Sequence, residues 1–252
     1  MNATNPSLGH QNHYDLRERV ALVAGASGGL GQAVCVALLV GGAQVVALSD
    51  REHPEERERL RAEAGEASAR LRSVVADARD EQAVSDVIAD IAQQTGRLDI
   101  LVNLIGGFAA GKPVTELDSA TFERMLGLNL RPTFLLSKYA AREMARRQWG
   151  RIINTSSRSA YSGRRNAAAY AVAKAGVITL TETQAEETRD QRITVNALLP
   201  SIIDTPANRQ GMPKANFENW PKPEEIARVI AFLASDDAAL ISGASIPVYG
   251  LA

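Results

Sequence analysis

The chain has 252 residues, 45% hydrophobic and 23% charged, with a formal net charge of −1. That balance suits one α/β domain able to bury a substantial core, and it excludes a strongly basic nucleic-acid binder or an acidic tail. A single cysteine, Cys35, rules out a disulfide within the chain, and His10, His13 and His53 form no metal-ligand cluster, so no metal is expected. Cys35 lies in the apolar run Ala33 to Val40 and reads as a buried structural thiol. No stretch approaches the length of a membrane span, and the first fifteen residues lack the apolar core of a secretory signal. A soluble, cytoplasmic protein is expected, with residues 1–15 a flexible arm and 16–252 one domain.

In chain order, Val20 to Ala24 (VALVA) reads as a strand buried on both faces. It runs into Gly25-Ala26-Ser27-Gly28-Gly29-Leu30-Gly31 and then a helical pattern from Gln32 to Val40. Strand, glycine turn and helix form the context of a phosphate-binding loop. Glycines let the backbone approach a pyrophosphate, and a helix N-terminus offers free N–H groups. Four glycines in seven residues exceed the needs of an ordinary tight turn. Gln44 to Leu48 is a second strand, followed by Asp50, 25 residues after Gly25, where an acid that accepts hydrogen bonds from a ribose 2′-hydroxyl is expected. Asp50 favours NAD; Arg51 beside it can pair with the 2′-phosphate of NADP, and Asp50 can equally cap the next helix. Glu55 to Ala69 is a charged, solvated helix. Leu71 to Ala76 is a third strand, ending at Asp77-Ala78. Glu81 to Thr95 is a helix with an apolar stripe, and Leu98 to Leu104 is a fourth strand, closed by Gly106-Gly107. Asp77 can touch an adenine and Asn103 can anchor the strand end, or each can be a turn residue. The alternation predicts right-handed βαβ units and a parallel, doubly wound sheet.

Ala120 to Leu126 begins a helix that leads to Asn129, and another runs from Pro132 to Arg147. Asn129 sits on an apolar face, so it must find partners: a water near the site, or backbone at a helix kink. Arg151 to Thr155 is a buried strand; the sequon Asn154-Thr155-Ser156 within it carries no meaning. Beyond it, Asn166 to Thr188 is helical and sets Tyr170 and Lys174 four residues apart on one face. Such a pair is common by itself. A tyrosine needs roughly 4 kcal/mol of differential stabilisation to move from about pH 10 to about 7, and a close ammonium in a dry pocket can supply much of it. Ser157, thirteen residues before Tyr170, offers a hydroxyl that can hold a carbonyl or alcohol oxygen beside the phenol. Together these residues suit proton transfer between a carbonyl and an alcohol.

The ordered set of Gly25, Gly29, Gly31, Asp77, Asn103, Gly106, Asn129, Ser157, Tyr170, Lys174, Asn196, Pro200 and Ser242-Gly243 resembles the single-domain short-chain dehydrogenase/reductase family, over essentially residues 16–252. The resemblance implies a Rossmann-type α/β/α sandwich around a mainly parallel sheet of about seven strands. It implies an oxidoreductase acting on CH–OH groups with NAD, or else NADP. Tyr170 would be the general acid/base and Lys174 would lower its pKa and hold the nicotinamide ribose. Ser157 would position the substrate oxygen, and Asn129 would hold a water linking Lys174 to solvent. Gly25, Ser27, Gly28, Gly29, Leu30, Gly31, Asp50, Arg51, Asp77, Ala78, Asn103, Gly106, Tyr170, Lys174, Pro200, Ile203 and Thr205 would contact the cofactor. The chain departs from the family pattern at Ala24, Leu104-Ile105, Ser201 and Tyr249, none of which removes a catalytic group.

Ile193 to Leu199 is a sixth strand and Ala244 to Val248 a last one, with a helix from Ile226 to Ala234 between them. The Pro- and Asn-rich segment 206–223 reads as a lid over substrate or as an ordinary surface loop. Phe108, Ser157, Tyr170 and Trp220 would line the substrate pocket; Arg158, Arg164 and Arg165 are expected to face solvent rather than bind a carboxylate or phosphate. The helices Pro132 to Arg147 and Asn166 to Thr188 carry apolar or small residues on more than one face, which predicts a homotetramer or dimer. Partners are otherwise limited to a small alcohol or ketone.

Overall fold

The computed structural model describes residues 14–251. Most of the expected arm lies outside them, but Tyr14 already packs its ring 5.5 Å from that of Phe232 and Leu16 is buried.

The chain forms β1 (Val20–Ala24), α1 (Gly29–Val40), β2 (Gln44–Ser49), α2 (Pro54–Ala64), β3 (Leu71–Val75), α3 (Glu81–Thr95) and β4 (Ile100–Asn103). It continues through α4 (Ser119–Asn129), α5 (Arg131–Ala145), β5 (Gly150–Thr155), the short α6 (Ser159–Ser162) and α7 (Ala168–Glu187). The last elements are β6 (Ile193–Pro200), α8 (Pro206–Gly211), α9 (Pro223–Leu233) and β7 (Ser245–Val248). The strands form one parallel sheet in the order β3-β2-β1-β4-β5-β6-β7. The order reverses at β1, flanked by β2 and β4, which opens a crevice beyond the strand C-termini. Register brings those ends level: Ala24 pairs with Leu48 and Asn103, Asn103 with Asn154, and Asn154 with Ala197. The loops that begin at Gly25, Leu104, Ser156 and Ser201 therefore leave from one edge.

Each face of the sheet has its own core. Val23, Val45, Val102 and Ile153 pack against Leu30, Val34 and Leu38 of α1 and Ile226 and Ile230 of α9. Their strand neighbours Leu22, Val46, Leu101 and Ile152 point the other way, onto Val84, Ile88 and Ile91 of α3 and Leu135, Leu136 and Met144 of α5. Each such side chain contributes about 1.5–3 kcal/mol on burial.

Departures from the expected element ends have local causes. α1 starts at Gly29, ahead of Gln32, because the glycine loop supplies its first turn. α2 stops at Ala64 because Gly65 takes φ 56°, and residues 65–70 continue as a 3-10 turn. The expected lid segment contains α8, whose start is capped by Thr205, and a 3-10 turn at Phe217–Asn219. Among the described residues no helix is long and apolar enough to cross a membrane, and no group of three His, Cys, Asp or Glu side chains could hold a metal. Cys35 is fully buried, and burial pushes its thiol up to about 12.

Candidate active site

The glycine loop crosses the β1 edge under tight constraint. Gly25 adopts φ 86°. A Cβ at Gly31 would lie 2.2 Å from the Gly25 carbonyl oxygen, so the start of α1 presses directly on the loop backbone. The N-cap of α1, Gly28, carries no side-chain hydrogen bond, which leaves first-turn N–H groups open to an anion. Leu30 is buried in the core, so only its backbone can face a cofactor. Thr205 closes the loop from the far side, its methyl 3.1 Å from where a Gly29 Cβ would stand.

Beside the loop, at the ends of β2 and β3, lies a small open cleft lined by residues that include Ser27, Ser49, Arg51, Glu52, His53, Glu56 and Arg57. Asp50 is not in its lining. The Asp50 side chain is 75% exposed and reaches His53 Nε2 at 3.4 Å. Asp50 thus points to His53 rather than into this cleft. Arg57 Nε is buried in the protein without a hydrogen-bond partner. Asp77 is held by Arg79 at 2.7 Å, and that hydrogen bond keeps its carboxyl below the usual range. Ala78 is buried. The loop, the open N-terminus of α1 and the cleft beside them fit a dinucleotide.

At the β4 end Asn103 anchors the strand: its Nδ2 donates to Thr133 Oγ1 (2.9 Å) and its Oδ1 accepts from Ile105 N–H (3.1 Å). Gly106 lies against the reacting centre, since a Cβ there would sit 2.7 Å from Asn129 Oδ1 and 3.0 Å from Lys174 Nζ. Asn129 clasps the backbone: Oδ1 accepts from Gly107 N–H (3.1 Å), and Nδ2 donates to Gly107 O and Met125 O (3.0 Å each). Of the two alternatives open for Asn129, backbone bonding is observed, and only the second lone pair of Oδ1 is left for a water.

Ser157, Tyr170 and Lys174 come together above β5. Lys174 is buried, donates to Thr155 O at 2.8 Å, and burial lowers its ammonium to about 8. Its Nζ lies 6.0 Å from the Tyr170 ring centroid. The Tyr170 phenol sits above its ordinary value because burial outweighs the hydrogen bond with Ser157 and the positive charge of Arg164, both of which pull it down. In this structure the lysine is itself desolvated and turned to a carbonyl, and the cation that acts on Tyr170 is Arg164. Phe108, 55% exposed, meets Tyr170 edge-on with centroids 5.0 Å apart.

Several positioning residues escaped the sequence reading. Ser156 donates to Lys174 O at 2.7 Å and ties α7 to the end of β5. Behind it, Asn154 donates to Thr181 (3.1 Å) and accepts from Ser137 (3.2 Å), joining α7, β5 and α5. The only available signal was polar residues within apolar runs. At the β6 edge Pro200 O accepts from Arg158 N–H at 3.1 Å, and Ile203 packs on the core beside α1. Trp220 is buried, with its ring 5.0 Å from that of Phe217. Ser201 donates to Tyr249 O at 2.7 Å, so two of the departures from the family pattern are partners.

Comparison with known proteins agrees with this arrangement. A family model described as short chain dehydrogenase matches residues 19–216. The chain is 36% identical over 246 residues to a 3-oxoacyl-(acyl-carrier-protein) reductase of Pseudomonas aeruginosa, covering 93% of this chain and 97% of that protein. It is 35% identical over 242 residues to the cis-4-hydroxycyclohexanecarboxylate dehydrogenase of Sinomonas cyclohexanicum, covering 92% and 96%. Among solved structures, ElxO with NADP bound aligns with TM-score 0.84 and 28% identity over 92% of this chain and 97% of that one. NAD+-bound xylitol dehydrogenase aligns with TM-score 0.84 and 28% identity over 93% and 99%. The chain belongs to the short-chain dehydrogenase/reductase family and is an oxidoreductase that transfers a hydride between a nicotinamide cofactor and an alcohol or ketone.

Proposed function

We propose that Tyr170 is the general acid/base of this hydride transfer. The observation that carries the reading is the convergence of Ser157, Tyr170 and Lys174 at one strand edge, with Gly106 pressed against Lys174 and Asn129. The cofactor, when bound, supplies the hydride acceptor or donor at its nicotinamide ring. Gly25 to Gly31, Gly106 and Thr205 would hold it. In alcohol oxidation Ser157 holds the substrate oxygen and the Tyr170 oxygen takes the hydroxyl proton; in reduction Tyr170 returns it. Lys174 provides a buried positive charge beside the site, and Asn129 holds the loop at Gly107 while its free lone pair orients a water. Tyr170→Phe is expected to lower turnover by about 10²–10⁴-fold and leave cofactor affinity nearly intact; undiminished turnover would refute the role.

The expectation of NAD rested on Asp50. The cleft geometry supports NADP instead, because Arg51 lines it, beside Glu52, Glu56 and Arg57, while Asp50 faces His53 outside the lining. A guanidinium there would bind the 2′-phosphate by charge-assisted hydrogen bonds. Fluorescence titration should find NADPH bound about tenfold more tightly than NADH, with the order reversed in Arg51→Glu. Tighter NADH binding that ignores Arg51→Glu would return the assignment to Asp50. Substrate screening begins with hydroxycyclohexanecarboxylates and 3-oxoacyl thioesters, the compounds in the names of its relatives. A homotetramer, or a dimer, remains our proposed assembly.

A further inference from the structure

The loop between α6 and α7 overhangs the reacting end of Tyr170. Arg164, in that loop, places its guanidinium carbon 5.2 Å from the centroid of Phe108. Phe108 in turn meets Tyr170 at 5.0 Å with the ring planes at 82°. The three side chains form a wall: phenol at the bottom, an exposed aromatic face in the middle, a cation at the rim. From Ser157 to Thr181 the chain contains no acid, so the loop's own segment does not neutralise this cation. Asp204, just ahead of the segment expected to cover the substrate, is taken by Arg209 at 2.5 Å. The field of Arg164 reaches the phenol, where it is one of the two influences that favour the ionised form.

We propose that Arg164 is the anion-recognising residue of the substrate site, and that the substrate is an alcohol or ketone bearing a carboxylate a few bonds from the reacting carbon. The proposal rests on Tyr170 as the acid/base, because the phenol fixes where the reacting oxygen lies. Phe108 covers the apolar body of such a molecule, and the planar guanidinium accepts its carboxylate in a bidentate pair. Shielding by the substrate and by Phe108 strengthens that pair relative to one in open water. The fate of the three arginines expected to face solvent thus divides. All are exposed, but Arg158 lies over Tyr249 with its guanidinium carbon 5.2 Å from the ring, while Arg164 faces the site.

The test is a panel of hydroxy acids, each paired with its methyl ester, assayed by NAD(P)H formation with wild type, Arg164→Gln, Arg164→Lys and, as a control on the same loop, Arg165→Gln. Wild type should prefer the acid of a pair by about tenfold in kcat/KM. That preference should vanish in Arg164→Gln, chiefly through KM, survive in part in Arg164→Lys and persist in Arg165→Gln. Equal rates for acid and ester in wild type, retention of the preference in Arg164→Gln, or its loss in Arg165→Gln would each overturn the assignment while leaving the role of Tyr170 standing. No cofactor reduction with any pair, together with reduction of neutral ketones by NADPH, would overturn the carboxylate substrate class alone. No reaction in either direction would remove the Tyr170 reading and this inference with it.

Discussion

At the residue scale the site turns on where charge is buried. Lys174 carries an ammonium that burial lowers from 10.5 to about 8. A lysine whose folded value is depressed binds fewer protons in the folded state than in the unfolded one between those two values. Its contribution to stability therefore rises with pH from about 8 to 10.5, and the full desolvation cost is present below about 8. Urea denaturation of wild type and Lys174→Met across this range should show the difference moving in favour of wild type as pH rises; a pH-independent difference would mean that the ammonium is not desolvated. Ser157, Tyr170 and Lys174 were legible because their chemistry and helical spacing are local. The direction of the Tyr170 shift was not, because it sums burial by several elements with the charge of a loop arginine. Asp50 shows the same limit: its position along the chain suits a ribose ligand, while the direction of its side chain, toward His53, depends on its neighbours.

At the element scale the glycine loop and α1 act as one piece. An Ala at position 31 would set its Cβ 2.2 Å from Gly25 O and 2.7 Å from Ala26 Cα, contacts with backbone that no rotamer can relieve. Gly31→Ala is expected to lose about 1–3 kcal/mol of stability from overpacking, and to weaken NADPH binding at least about tenfold by shifting the N–H groups of the loop. Denaturation and fluorescence titration check the two effects separately; unchanged binding would show that the loop backbone does not contact the cofactor. Glu81–Thr95 was read to the residue because Asp80 caps its start and Gly96, at φ 73°, ends it. The helix expected over 55–69 was too long because Gly65 breaks the pattern at a single residue. The segment after Pro200 read as a loop because its α8 is only six residues long and shows no apolar period.

At the scale of the whole molecule, parallel order and level strand ends gather residues from Gly25 to Thr205 at one edge. Phe134 on α5 and Val172 on α7 remain 47% and 50% exposed, large apolar groups on helices already expected to meet another copy. Light scattering at micromolar concentration should give a multiple of the 27.0 kDa chain mass. Phe134→Glu should shift it toward the monomer, whereas a monomeric wild type would discard the assembly.

The amino-acid sequence alone determined the strand and helix cores, the glycine loop after β1, and the spacing of the serine, tyrosine and lysine along the end of β5 and α7. Periodicity, glycine sterics and helical spacing act over a few residues and need no partner element. Only the tertiary structure decided that the Asp50 side chain turns to His53 while Arg51 and Arg57 line the cleft beside the glycine loop, and that Asn129 bonds the backbone of Gly107. It also decided that Arg164 stands over Phe108 and that burial raises the phenol of Tyr170. Side-chain direction and desolvation are set by groups distant in the chain, which meet only when the sheet is assembled.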